Sequence, residues 1–286
     1  MKLIQFMDKQ DDSKKIRLGA LVGENYYVEV QAEGTMRDLI RKIGSSKDVK
    51  LEVEKQIEEG KKEHVEQIHI LSPLTDPEKI ICIGLNYHDH AKESNMAVPE
   101  VPVLFPKYPN CIIGHEEDVI IPQEVQQCDY EVELAFIVGK TAKHVSKEDA
   151  MDYVFGYTIV NDVSARDIQL SEAQWTRGKT IDTFAPTGPC IVTADEIGDP
   201  HNLDISLKLN GEKMQHSNTR ELIFNIPTLL SFLSKTITLQ PGDIISTGTP
   251  HGVGMGRSPQ VWLKAGDVTE AIIEGIGVLR NRFVSE

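Results

Sequence analysis

The stretch from Asp129 to Gly139 constrains the fold of this chain more than any other. Its aromatic and β-branched residues are typical of a β-strand, and Gly139 closes it. Because side chains alternate between two faces of a strand, one face is wholly apolar: Tyr130, Val132, Leu134, Phe136 and Val138. The other face carries Glu131 and Glu133, followed by two apolar residues. This pattern predicts a strand buried on both faces, with two carboxylates at one end.

Glu131 and Glu133 are two residues apart, which on a strand separates their positions by roughly 7 Å. In a low-dielectric interior such carboxylates repel each other unless a proton, an arginine or a divalent cation offsets their charge. Asp162 is a candidate third ligand, because it lies near the end of a second apolar strand predicted at 156–163. Three carboxylates without a nearby Cys or His pair favour Mg²⁺, Mn²⁺ or Ca²⁺ over Zn²⁺. Two simpler interpretations stay open, a solvated strand end and an ion pair between Asp162 and Arg166.

The acidic composition narrows the range of partners. The 286-residue chain has a net charge of −14, which argues against nucleic acid or an anionic membrane surface as its main partner. No apolar run is long enough to span a bilayer. The N-terminus lacks the apolar core of a signal peptide, and the four cysteines are dispersed. We therefore expect a cytoplasmic protein with reduced thiols, in which an anionic substrate would need a local positive site.

Two regions of different character follow each other along the chain. Residues 1–72 predict a small α+β domain, and residues 73–286 predict a larger one rich in strands, with the boundary at Ser72-Pro73-Leu74. In the first region we expect strands at 2–6, 17–22 and 26–30, a helix at 36–43 capped by Thr35, and a charged helix within 48–64. In the second we expect strands at 79–85 and 156–163, a short helix or ordered loop at 87–95, and a helix at 146–154. The predicted fold class is α+β and β-rich.

Further candidate residues lie between these strands. His90 and Glu93 are three residues apart, so on a helix they lie side by side, and a carboxylate bonded to an imidazole makes a general base. A surface ion pair explains the same spacing. The polar run at 166–182 contains arginine and lysine that could form the positive site, although a solvated loop is the simpler interpretation. The glycine-rich stretch Ser246–Gly256 could form an anion-binding nest from its backbone N–H groups.

Several motifs occur in a fixed order between about residues 78 and 282. They are Asn86-Tyr87-x-x-His90-Ala91-x-Glu93, Glu131-x-Glu133, Tyr157-Thr-x-x-Asn161-Asp162-x-Ser164-Ala165-Arg166-Asp167-x-Gln169, Trp175-x-x-Gly178-Lys179-x-x-Asp182, and Thr247-Gly248-Thr249-Pro250-x-Gly252-Val253-Gly254. Together they resemble the fumarylacetoacetate hydrolase family. The resemblance implies a mixed β-sandwich roll with a small N-terminal α+β domain, assembled as a homodimer.

The resemblance also implies a role for each matching residue. The implied metal ligands are Glu131, Glu133 and Asp162, the implied catalytic residues are His90, Glu93 and Lys179, and the implied substrate-binding residues are Arg166, Gln169, Lys179 and Thr249. The metal would be Mg²⁺ or Mn²⁺, with Ca²⁺ as another occupant, and the dyad of His90 and Glu93 would lie on a lid. The chain departs from many members at Gly114-His115-Glu116-Glu117, where they have a Gly-Pro turn, which bears on substrate preference.

The predicted reaction is metal-dependent hydrolysis of a C–C bond in a 2,4-dioxo acid, such as an acylpyruvate, to a 2-oxo acid and a carboxylic acid. Oxaloacetate decarboxylation and isomerisation of a 2-hydroxydienoate are alternatives, because they need the same stabilisation of an enolate but no attacking water. A non-catalytic dimer that binds an organic acid is a further alternative, disfavoured by the His90–Glu93 pair. The expected substrate is a small anionic 2-oxo acid.

Overall fold

The computed structural model describes residues 1–93 and 97–286. The strands of the N-terminal half are β1 Lys2–Asp8, β2 Arg17–Val22, β3 Tyr26–Glu29, β4 Glu63–His64, β5 Ile68–Leu71, β6 Ile80–Gly84, β7 Val103–Lys107, β8 Ile112–Ile113, β9 Asp118–Ile121, β10 Cys128–Asp129 and β11 Val132–Val138. Those that follow are β12 Val154–Asn161, β13 Ser164–Ala165, β14 Ala185–Thr193, β15 Asp204–Leu209, β16 Glu212–Asn218, β17 Ile244–Ser246, β18 Val268–Ile273 and β19 Gly277–Ser285. The α-helices are α1 Met36–Ser45, α2 Lys47–Glu59, α3 His88–Glu93, α4 Arg166–Ser171, α5 Thr176–Lys179 and α6 Ile226–Ser234. In the described ranges no helix is long and apolar enough to cross a membrane.

A large mixed sheet forms the framework of the fold. Its strand order is β4-β3-β2-β1-β14-β12-β11-β17-β6-β7, with β5 beside β1 and β8 beside β14. A five-stranded sheet has the order β16-β15-β18-β19-β9, and β10 pairs with β13. Strand β11 is antiparallel to both β12 and β17, whereas β17 is parallel to β6. The β-rich α+β class and the roll of several sheets expected from the sequence are confirmed.

Both faces of β11 are buried, as its sequence predicts. Leu134 and Phe136 belong to one apolar cluster, which also contains Leu207 of the five-stranded sheet. Ala135 and Ile137 belong to a second cluster on the opposite side of the large sheet. A strand covered on both sides by apolar side chains is a rigid base for the polar residues at its end.

The N-terminal strands extend the large sheet. Residues 1–72 contain the predicted strands, and α1 begins at a capping box in which Thr35 and Asp38 bond each other's backbone N–H groups. Strand β1 also pairs with β14, in the register Lys2↔Val192 and Leu3↔Ile191. The sheet therefore crosses the boundary between residues 72 and 73, and the division of the chain into domains there stays a prediction.

Two predicted elements differ in the structure. The strand expected at 129–139 is interrupted, because residues 130–131 lie between β10 and β11. The α-helix expected at 146–154 is wrong. Ser146 does accept the N–H of Asp149, but only a 3-10 turn forms, at Ala150–Tyr153. The chain then enters β12, because pairing with β11 and β14 outweighs the local helix signal. The helix expected at 87–95 is α3, and part of its predicted range, residues 94–95, lies outside the described residues.

Candidate active site

Three carboxylates meet where β11 begins and β12 ends. Because the two strands are antiparallel, with Val132 opposite Asn161, Glu131 and Glu133 come close to Asp162. The N–H of Asp162 donates to the carbonyl of Glu131 at 2.8 Å. All three carboxylates are buried, and one oxygen from each lies within 4.8 Å of the others. The side chains therefore converge to a shorter separation than the strand spacing alone suggests.

Cationic side chains surround the cluster. Lys179 Nζ lies 2.7 Å from Glu131 Oε2 and 2.6 Å from Asp162 Oδ2. Arg166 Nη2 lies 2.5 Å from Glu131 Oε1. Lys107, on β7, lies 2.7 Å from Asp162 Oδ1 and is itself fully buried. The positive site expected in the polar run is present. The ion pair suggested between Asp162 and Arg166 is wrong, because Asp162 pairs with Lys107 and Lys179, whereas Arg166 pairs with Asp129 and Glu131.

The glutamates respond oppositely to these surroundings. Burial raises the pKa of Glu133, and repulsion by Asp162 and Glu131 raises it further. Burial also favours a raised pKa for Glu131, but the charges of Arg166 and Lys179 outweigh it and hold that pKa below its usual range. Glu133 is thus the carboxylate whose negative charge the protein compensates least.

The donor set fits a hard divalent cation. All three candidate ligands are carboxylates, the oxygen chemistry that Mg²⁺ and Mn²⁺ prefer. Asp162 Oδ1 accepts no hydrogen bond from the described residues, although Lys107 Nζ is near it. A fully buried, undercompensated Glu133 beside two further carboxylates is the environment that a cation would satisfy. Glu133 is also oriented, because Ser246 Oγ and the N–H of Gly248 donate to its Oε2 at 2.5 and 2.9 Å.

His90 and Glu93 lie on the short helix α3, which follows β6. Nδ1 of His90 is 3.5 Å from Oε2 of Glu93, and the side chains are 8% and 17% exposed, respectively. The N–H of Gly252 donates to both carboxylate oxygens of Glu93, at 3.0 and 3.1 Å. The pair is therefore largely buried rather than a surface ion pair. The other ring nitrogen of His90, Nε2, does not contact Glu93 and can act on a substrate in the cavity.

The glycine-rich stretch does bind anions through its backbone, but these anions are carboxylates of the protein itself. Three glycine N–H groups donate in this way: Gly248 to Glu133, Gly252 to Glu93, and Gly254 to Asp129. The hydroxyl of Thr249 donates to the carbonyl of Val132 at 3.0 Å and accepts from the amide of Gln215 at 2.8 Å. The hydroxyl proton is thus already used, and a carboxylate-binding role for Thr249 stays a prediction.

One cavity of about 230 Å³ brings most of the predicted site residues together. Those lining it are His90, Glu131, Glu133, Arg166, Gln169, Lys179 and Thr249. Glu93 and Asp162 do not line the cavity, but they contact His90 and Lys179, respectively. Gln169 accepts a hydrogen bond from Arg166 at 3.0 Å, so its amide nitrogen remains a donor. The remaining wall is mainly apolar: Ile83, Gly84, Leu85, Phe105, Leu170, Trp175 and Met255.

Sequence reasoning missed two buried residues of the site. No role in the site is predicted for Lys107 from the sequence, yet its ammonium faces Asp162. Asp129 was treated only as the start of a strand, yet it accepts from Arg166 Nε at 2.9 Å. Alternation along the chain places Asp129 in phase with Glu131 and Glu133, which is the signal that could have identified it.

The sequence model described as "Fumarylacetoacetate (FAA) hydrolase C-terminal" matches residues 79–284. This match covers more than half of the chain, and the fold and carboxylate cluster agree with it. The chain belongs to the fumarylacetoacetate hydrolase family, as its motifs indicated.

The chain is similar to curated proteins over much of their length. It is 43% identical to "Oxaloacetate tautomerase fahd2, mitochondrial" of Xenopus laevis, over 99% of this chain and 90% of the relative. It is 49% identical to "Oxaloacetate tautomerase Fahd2a, mitochondrial" of Rattus norvegicus, over 76% of this chain and 70% of the relative. The expectation of a cytoplasmic protein is contradicted, since both names state a mitochondrial location. Dispersed, buried thiols do not distinguish the cytoplasm from another reducing compartment.

Solved structures share the fold over the whole chain. A fumarylacetoacetate hydrolase from Exiguobacterium antarcticum is 37% identical, with a TM-score of 0.86 and full coverage of both chains. A 5-carboxymethyl-2-hydroxymuconate delta-isomerase from Mycobacterium smegmatis is 30% identical, with a TM-score of 0.80 and full coverage of both. A maleylpyruvate hydrolase from Sphingobium sp. SYK-6, in complex with manganese(II) and pyruvate, is 31% identical, with a TM-score of 0.83 over 100% of this chain and 99% of that one. The family thus includes both hydrolases and isomerases.

Proposed function

We propose that this protein is a divalent-metal-dependent tautomerase that interconverts the enol and keto forms of oxaloacetate. The observation that carries the proposal is the 43% identity to an oxaloacetate tautomerase over 99% of this chain. It favours the isomerase alternative over the hydrolysis of a 2,4-dioxo acid that the sequence suggested first. Both reactions pass through an enolate, so the residues inferred for one serve the other.

Glu131, Glu133 and Asp162 would hold Mg²⁺ or Mn²⁺ in this enzyme. The bound metal would act as a Lewis acid that stabilises negative charge on the substrate oxygen. The manganese in the related maleylpyruvate hydrolase supports this assignment. Oxaloacetate is itself a dianion, and Arg166 and Lys179 would contribute the positive charge that an acidic chain otherwise lacks.

The tautomerisation moves one proton between the carbon beside the carbonyl and the carbonyl oxygen. His90 would take the proton from carbon through Nε2, while Glu93 at Nδ1 orients the ring and stabilises the imidazolium. The electron pair of the broken C–H bond forms the C=C bond, and the π pair of the carbonyl moves onto the oxygen, which Lys179 is placed to stabilise and protonate. Exchange of protons with solvent then removes the proton from His90 and returns one to Lys179, which restores the enzyme. The reverse sequence converts enol to keto. No C–C bond breaks and no water is consumed.

The apolar wall of the cavity suits this reaction. Phe105, Trp175 and Leu85 line it beside the charged residues. They limit the water around His90, which strengthens the electrostatic interactions with the enolate and keeps the proton between enzyme and substrate. A cavity of about 230 Å³ also matches a small acid better than a large one.

Hydrolysis of a 2,4-dioxo acid remains the second candidate, because His90 with Glu93 is also the arrangement that activates water. The related maleylpyruvate hydrolase supports it. Decarboxylation of oxaloacetate would use the same site without either water or proton abstraction from carbon. These three reactions differ in their products, so one set of assays separates them.

The test follows the ultraviolet absorbance of enol-oxaloacetate after mixing with the protein and Mg²⁺, Mn²⁺ or EDTA. We expect metal-dependent acceleration of ketonisation without release of pyruvate. Parallel assays measure pyruvate from oxaloacetate and from acetylpyruvate. Release of pyruvate from acetylpyruvate, with no acceleration of ketonisation, would show that the protein is a hydrolase and not a tautomerase. Pyruvate from oxaloacetate alone would make the protein a decarboxylase, and inactivity in all three assays would favour a binding protein.

We also propose that the protein acts as a homodimer, as the family resemblance implies. Size-exclusion chromatography with light scattering tests this, and a mass near the 31.9 kDa of one chain would contradict it.

A further inference from the structure

The side chain of Asp129 binds two separate parts of the site. It is completely buried. Its Oδ1 accepts the N–H of Gly254 at 2.7 Å, and its Oδ2 accepts the N–H of Met255 at 3.1 Å. Its Oδ2 also accepts the Nε–H of Arg166 at 2.9 Å. A single carboxylate therefore holds both the loop at residues 252–256 (the 252–256 loop) and the arginine that pairs with Glu131.

The 252–256 loop in turn holds Glu93. The N–H of Gly252 donates to both of its carboxylate oxygens. A Cβ atom at Gly256 would overlap the side chain of Glu93, so the loop packs directly against this carboxylate. Glu93 then contacts Nδ1 of His90. A continuous path of polar contacts thus leads from Asp129 through the loop to the histidine.

The loop approaches both carboxylates too closely for ordinary side chains. A Cβ atom at Gly254 would lie 2.7 Å from Oδ1 of Asp129. Gly252 has a φ of +96°, in the left-handed region that favours glycine. These glycines allow backbone N–H groups to reach buried carboxylates, and such charge-assisted hydrogen bonds are short and strong in a low-dielectric interior. The position of the loop therefore depends on the charge of Asp129.

We propose that Asp129 is a positioning residue that couples the His90–Glu93 pair to the carboxylate cluster. Through the 252–256 loop it sets the place of Glu93, and through Arg166 it sets the place of Glu131. Asp129 acts on the reaction only through these neighbours. The catalytic consequence rests on the proposed function, whereas the structural coupling does not.

A double-mutant cycle distinguishes positioning from general stabilisation of the fold. We expect Asp129→Asn to lower kcat about 10- to 100-fold, as supporting residues of a site commonly do. In a Glu93→Gln background, the part of this loss that passes through the 252–256 loop should disappear, because the carboxylate that the loop positions has already lost its charge, while the part that passes through Arg166 remains. Equal losses of kcat in both backgrounds would overturn the proposal.

Asp243→Asn is the matched control. Asp243 is also completely buried and also accepts backbone N–H groups, from Lys79 at 3.0 Å and from Gln240 at 2.7 Å. It holds the turn before β17. A loss of stability without a change in kcat is the expected result for this variant. A loss of kcat equal to that of Asp129→Asn would show that any buried aspartate has the same effect, and would overturn the proposal.

Hydrogen–deuterium exchange gives a measurement that needs no substrate. In Asp129→Asn we expect faster exchange both in the 252–256 loop and in residues 88–93, and in Asp243→Asn in neither. Faster exchange in the loop alone would contradict the coupling. If wild-type protein lacks tautomerase activity, the proposed function fails while the exchange result still decides the coupling. Should Asp129→Asn not fold, Asp129→Glu keeps the charge but displaces the carboxylate, and the same two regions are measured.

Discussion

The carboxylate cluster and the His90–Glu93 pair face the same cavity, but the fold holds them in different ways. Glu133 lies within β11, which is paired along its length with β12 and in part with β17. The pair lies on α3, a helix of six residues, and within residues 1–93 and 97–286 its carboxylate accepts one backbone N–H, that of Gly252. The cluster is thus part of the core, whereas the pair depends on contacts between short segments.

Because of this difference, we expect the cluster to affect mainly the free energy of unfolding and the pair to affect mainly turnover. Charges inside the sheet are linked to the free energy of unfolding, because buried ion pairs and buried repulsion both act on the folded state. The pair on α3 buries little apolar surface of its own, so changing it should alter turnover more than stability. The contrast between the two regions can be tested by substitution in each.

The largest expected effect is on the histidine. His90→Ala should lower kcat by about 10²- to 10⁴-fold, because it removes the proposed general base. The affinity for Mn²⁺, measured by calorimetry, should stay nearly unchanged. His88→Ala is the control, since His88 lies exposed on the same helix. Unchanged turnover in His90→Ala would remove the histidine from the mechanism, and a large loss of metal affinity would contradict the separation of the two regions.

The two glutamates should respond in opposite directions. Glu131→Gln removes one of the two carboxylates that pair with Arg166 and one of the two that pair with Lys179, since Asp129 and Asp162 remain. It should destabilise the fold by about 1.5–3 kcal/mol, the range for hydrogen bonds to charged groups. Glu133→Gln removes the repulsion that raises the pKa of Glu133 and should raise the unfolding temperature of the metal-free protein. Both variants should lose Mn²⁺ binding.

Thermal unfolding with and without Mn²⁺ measures both effects. Wild-type protein should be stabilised by the metal, by an amount that rises with the logarithm of the Mn²⁺ concentration above Kd, and neither variant should be. If Glu133→Gln unfolded at a lower temperature than wild-type protein without metal, Glu133 would not be an undercompensated charge. Retained Mn²⁺ binding in either variant would remove that glutamate from the ligand set.

The smallest expected effect is at the apolar wall. A Cβ atom at Gly84 would lie 2.7 Å from the ring of Trp175, so Gly84→Ala should displace that ring. We expect KM to rise by up to about 10-fold through the altered pocket, with a smaller change in kcat. Steady-state kinetics measure KM and kcat, and tryptophan fluorescence reports the displacement of the ring. A fall in kcat at constant KM would instead indicate that the wall supports the catalytic residues.

Much of the fold was predictable because its signals are local. Strand β2 was predicted with its observed bounds, and the cap at Thr35 marked the start of α1 correctly. The helix expected after Ser146 failed, although its cap interaction is present, because Val154 is paired with β11. Sheet pairing joins distant segments and overrides a weak helical preference, which no local pattern can register.

The candidate site also has features that follow from local sequence and features that follow from long-range packing. The sequence by itself identified the candidate site residues, since acidic residues on a buried strand, with Asp162 after the next one, suit an oxygen-ligand metal site and the ordered motifs resemble the family. Only the tertiary structure decided how these groups are compensated and held. Lys107 reaches Asp162, and Gly254 reaches Asp129, across many intervening residues. Charge compensation depends on distances in space, and these follow from the packing of the sheets rather than from spacing along the chain.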